Sequence, residues 1–72
     1  MATRPILRGT VTSFSAEDGL GEVADESGAT YPFHCTAISD GTRLIETGTV
    51  VTFGLVPAHH GRLEARPVNP LR

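Results

Sequence analysis

The side chains of this sequence with the capacity for bond-making chemistry are few and poorly spaced for it. His34 and Cys35 are adjacent, whereas a Cys-His nucleophile pair needs thiol and imidazole within hydrogen-bond reach of each other. Neighbours on a strand point to opposite faces, so continued pairing through this dipeptide separates them. His59 and His60 fall in Pro57-Ala58-His59-His60-Gly61, a hairpin-type connection. No Cys-x-x-Cys or paired-histidine spacing completes a tetrahedral zinc set around them. Glu17 and Asp18 are neighbouring carboxylates beside a loop, with no substrate pocket to tune their proton affinity. These positions predict no catalytic residue, no metal site and no cofactor.

Binding chemistry is better represented. Asp18-Gly19-Leu20-Gly21-Glu22-Val23 is followed eight residues later by Tyr31-Pro32-Phe33-His34-Cys35-Thr36-Ala37-Ile38. Both stretches must be held by short strands. Thr10 to Phe14 is rich in β-branched and aromatic residues and closes into Ser15-Ala16-Glu17-Asp18-Gly19, a turn-like run. Leu20 to Ala24 makes a second strand, and Asp25-Glu26-Ser27-Gly28 turns the chain into a third, Thr30 to His34. Pro32 offers no ladder donor, so it belongs at an edge or a position free of hydrogen bonds. Cys35 to Ile38 is too short for an α-helix and predicts a 3₁₀ turn, after which a long loop begins. Thr49 to Val56 alternates so that Val51, Phe53 and Leu55 share a face. The last strand, Arg62 to Arg66, is expected to stop before Pro67 and Pro70. Val11, Val23, Ile38, Val51 and Phe53 are the expected core.

Seventy-two residues support one domain spanning residues 1–72 with one small core. With one cysteine there is no internal disulfide, which suits a reducing cytoplasm. Neither a signal-peptide run nor a segment of membrane-spanning length is present in the sequence, so a soluble cytoplasmic protein with no membrane partner is expected. Six arginines oppose eight acidic residues for a net charge of -2, whereas phosphate-binding modules concentrate basic charge. Glu17, Asp18, Glu22, Asp25 and Glu26 cluster, while Arg4 and Arg8 near one end and Arg62, Arg66 and Arg72 near the other predict at most a weak basic edge.

In order and spacing, these blocks resemble the cold-shock domain family. The first stretch resembles that family's Lys-Gly-Phe/Tyr-Gly-Phe-Ile motif and the second its Val-Phe-Val-His-Phe-Ser-Ala-Ile motif. Gly9 to Ser15 resembles the opening strand, Glu46-Thr47-Gly48 with Val51 and Phe53 the fourth, and Gly61 to Ala65 with Val68 the last. The resemblance implies an all-β fold, a five-stranded antiparallel Greek-key barrel of OB type. It also implies binding of single-stranded RNA or DNA by stacking bases on exposed aromatics while basic groups follow the backbone.

Carried over position by position, that platform is degenerate. The family's stacking tryptophan falls on Ser13, its first-motif aromatics on Leu20 and Glu22, and its second-motif aromatics on Pro32 and Cys35. The loop aromatic falls near Thr42, and the lysines on Thr10, Thr12 and Asp18. His34 alone keeps its identity within the second motif's binding set, and Phe14 is retained beside the lost tryptophan. Each stacked base is worth roughly 1–3 kcal/mol, so the expected binding is weak. Phe14, Leu20, His34, Arg43 and Arg62 are the candidate contacts. His34 can stack on a base or donate to phosphate when protonated, or be an ordinary surface histidine. Phe14 can be a stacking ring or a cover for the barrel mouth. The alternative is a protein-interaction module using Phe14, Leu20 and Pro32 as an apolar patch.

Overall fold

The computed structural model describes residues 6–58 and 61–71. Strands β1 (Leu7–Ser15), β2 (Leu20–Asp25) and β3 (Thr30–His34) form the expected meander. A 3₁₀ turn over Cys35–Ala37 follows, then a long loop, β4 (Val50–Pro57) and β5 (Leu63–Pro70). All five strands join one antiparallel sheet in the order β3-β2-β1-β4-β5. The return of β4 to the free side of β1 gives the four-strand Greek-key arrangement. No ladder joins β3 to β5, so the sheet has two ends rather than a closed hydrogen-bonded ring. The ends nevertheless meet at a parallel bridge between Ile38 and Val68, where the Ser39 N–H donates to the Val68 carbonyl at 2.9 Å.

Val11, Val23, Ile38, Val51 and Phe53 are buried as expected, and Phe33, Ala37, Ala65 and Val68 complete the core. Leu55 departs from simple alternation. The pairing of β4 with β5 shifts between Phe53 and Leu55, leaving Gly54 opposite Arg66 and Pro67, and Leu55 is only half-buried. A Cβ on Gly54 would lie 3.0 Å from the Arg66 carbonyl oxygen, so a larger residue at this bulge would make the facing backbone give by a few tenths of an ångström.

The last strand does not stop before Pro67 but runs through both prolines to Pro70. The correction follows from hydrogen-bond parity. Antiparallel partners alternate between bonded and non-bonded pairs. Leu71 donates to Val50 at 2.8 Å, so the next pair, Val51 with Pro70, requires no donor from the proline. Pro67 lies in the bulge, where a ladder bond is already missing. Pro32 obeys the same rule. Asp25 donates to Ala29 and Cys35 to Gly19, which puts Tyr31 and Phe33 in bonded pairs and turns the donorless nitrogen of Pro32 to the outer edge of β3. A proline there also blunts the edge against further strand pairing.

Asp25 organises the β2–β3 turn. Its Oδ1 accepts from the Ser27 hydroxyl at 2.7 Å and from the backbone N–H of Ser27 at 2.9 Å and of Ala29 at 3.0 Å. The Ser27 hydroxyl above all, with these N–H groups assisting, holds the Asp25 carboxyl below its usual proton affinity. No described helix is long and apolar enough to cross a membrane.

Candidate nucleic-acid interface

The outer side of β1, β2 and β3 is built from cross-strand rows. Ser15, Leu20 and His34 lie in register, as do Ser13, Glu22 and Pro32. Leu20, Glu22, Pro32 and His34 are exposed, Leu20 at 46%. The face expected to carry stacking rings thus presents a leucine, a proline, a carboxylate and one imidazole. Thr12 donates its hydroxyl to the Glu22 carbonyl at 3.2 Å and lies 3.5 Å from Glu22 Oε1, tying that side chain to β1.

Phe14 does not join these rows. The register of β1 against β2 shifts between Val11 and Ser13, and Thr12 is the extra residue. Uninterrupted alternation would put Phe14 on the outer face; the bulge returns it to the core side. There it stacks on buried Phe33, with ring centroids 6.0 Å apart and planes at 13°. Gly21 pairs with both Phe14 and Phe33, and a Cβ on it would lie 2.5 Å from Phe33 Cζ and 2.9 Å from Phe14 Cδ1. The second glycine of the Gly-x-Gly motif is therefore the floor beneath two rings.

His34 and Cys35 separate as their positions predict. The strand ends at His34, which is exposed, while Cys35 opens the 3₁₀ turn and packs half-buried against the core. Two open grooves border the β3 edge. One is lined by His34, Thr36, Pro57, Ala58, Glu64 and Arg66. The other brings Glu22, Tyr31 and Pro32 together with Arg62 and Leu63. Arg62 thus joins the Glu22–Pro32 row, and Arg66, which the sequence placed among the arginines of a weak basic edge, joins His34. Arg43 stands apart on the loop after the 3₁₀ turn, exposed, with a φ of 61°. Its neighbours Thr42 and Leu44 line a separate groove with Pro70 and Leu71.

Asp18 remains at the end of the Ser15–Leu20–His34 row, 3.3 Å from the Ser15 hydroxyl. Arg4, Arg72, His59 and His60 lie outside the described residues, so the basic edge expected from the termini is represented by exposed Arg8, Arg62 and Arg66. Among the described residues no group of three metal-ligating side chains occurs.

No protein-family model and no curated protein matches the sequence. Among solved structures the chain is similar to Drosophila Unr CSD456, with a TM-score of 0.78 and 27% identity over 96% of this chain. It spans 28% of the length of that Unr chain. A five-stranded sheet of this order, with the histidine motif ending β3, and its superposition on those Unr domains give the chain the fold of a cold-shock domain.

Proposed function

We propose that this chain acts as a single domain that binds single-stranded RNA or DNA weakly across the outer face of β1, β2 and β3. The observation that carries the reading is the register of exposed Leu20 and His34, flanked by Glu22 and Pro32, on the family's two motif strands. Leu20 and Pro32 offer apolar contact to a base, His34 stacks or donates to phosphate, and Arg62 supplies charge from β5's end of the adjoining groove. Phe14 backs the surface from the core side, and Arg43 is a more distant contact, exposed on the loop after the 3₁₀ turn. Affinity is low because the remaining ring stacking is small and Glu22 faces the phosphates. The lone thiol suits the reducing cytoplasm.

A second reading, a protein-interaction module, draws on the exposure of Leu20 beside Pro32. Titration of isotopically labelled protein with short single strands at low salt, followed by amide shifts, separates the two. Saturable shifts at Leu20, His34 and Arg62 are expected; silence at all three refutes nucleic-acid binding through this face.

A further inference from the structure

Glu22 and Arg62 line one open groove of about 520 Å³, with Pro32 on the intervening strand. Both side chains are exposed and neither forms an ion pair with a described residue. A carboxylate on a surface that receives a polyanion is unfavourable unless the ligand brings donors to it. In a single strand those donors sit on the Watson–Crick edges of the bases, which are accessible when unstacked.

The bases differ in how well they meet this pair. Guanine sets two adjacent donors, N1–H and the N2 amino group, beside one acceptor, O6. Two carboxylate oxygens match the donors and a guanidinium matches the acceptor, in charge-assisted hydrogen bonds. Adenine and cytosine bring one amino donor. Uracil and thymine bring a single N–H between two carbonyls, which a carboxylate repels. Pro32, exposed and in register with Glu22, provides an apolar floor, and the Thr12 hydroxyl restrains the carboxylate from the β1 side.

Resting on the reading of the outer face as a single-strand interface, we propose that this groove is a guanine-selective base site. Glu22 accepts from N1–H and the N2 amino group, and Arg62 donates to O6. The residue that weakens general binding is then the one that confers base preference.

The test uses short single-stranded oligonucleotides of otherwise identical sequence carrying guanine, hypoxanthine or uracil at one position, titrated at low salt. The parent protein should bind the guanine strand about tenfold more tightly than the uracil strand, with hypoxanthine, which lacks the N2 amino group, between them. Glu22→Gln should erase that preference while raising affinity for the uracil strand, because phosphate repulsion falls. Arg62→Ala should weaken the guanine strand most. Unchanged circular dichroism confirms that both variants are folded. Equal affinity of the parent for all three strands, or a preference that survives Glu22→Gln, overturns the guanine site and leaves single-strand binding standing. Absence of saturable binding to every strand overturns both.

Discussion

Phe14 and Phe33 stack across Gly21, their centroids 6.0 Å apart, and this pair joins the three motif strands from the core side. The arrangement withdraws from the outer face the one aromatic that its first strand retained. It also gives the second glycine of the Gly-x-Gly stretch a packing role, which the fold needs whatever the face binds.

Gly21→Ala tests that packing. An added methyl group meets Phe33 Cζ at 2.5 Å, so rings or backbone must shift. A loss of about 1–3 kcal/mol in chemical denaturation is expected, as for other overpacked cores. A neutral result would mean that the rings do not rest on this glycine.

Phe53 is fully buried and also meets Tyr31, with ring centroids 6.0 Å apart. Phe53→Ala should cost about 3–5 kcal/mol, enough to unfold a domain of ordinary marginal stability. Circular dichroism at increasing temperature reads this directly.

Replacing both Leu20 and Glu22 with phenylalanine rebuilds two stacking positions on adjacent outer rows of β2. Binding to a uracil- or thymine-rich strand should strengthen at least tenfold, since each restored stack is worth roughly 1–3 kcal/mol. Monomeric elution and an unchanged circular-dichroism spectrum exclude association through the new rings. A well-folded double variant with no gain would refute platform loss as the cause of weak binding.

Salt separates the two functional readings. Nucleic-acid binding should weaken steeply with added salt, and His34→Ala should reduce it further. Binding of a protein partner through Leu20 and Pro32 should respond weakly to salt and collapse in Leu20→Asp, because apolar burial drives it. Tight oligonucleotide binding indifferent to both salt and His34 would contradict the proposed mechanism.

Asp25 sets an acid limit on the β2–β3 turn. Its carboxyl is held below the ordinary 3.8, so the ionised form favours the folded state. That contribution is fully present above the unfolded value and is lost as pH falls through the lower folded value. Asp25→Ala should lower the melting temperature at neutral pH, and the difference from the parent should shrink in strongly acidic solution. A pH-independent difference would place the effect elsewhere than in these hydrogen bonds.

The strands, their order along the chain and five core positions were legible from residue types, because β-branched alternation and turn residues are local signals. So was the placement of Pro32 at an outer edge. The ladder parity that admits Pro67 and Pro70 was not, since whether a proline lacks a needed donor depends on which carbonyl faces it across the sheet. The bulge at Thr12 was equally hidden: one extra residue reverses the alternation, sends Phe14 to Phe33 and leaves Ser13 outside. The family resemblance, carried over position by position, implied an outer face poor in rings and bearing the acid of Glu22. Only the meeting of β3 with the Arg62 end of β5 placed a carboxylate and a guanidinium on one groove, because the residues that line it are forty positions apart in sequence and adjacent only once the sheet curls.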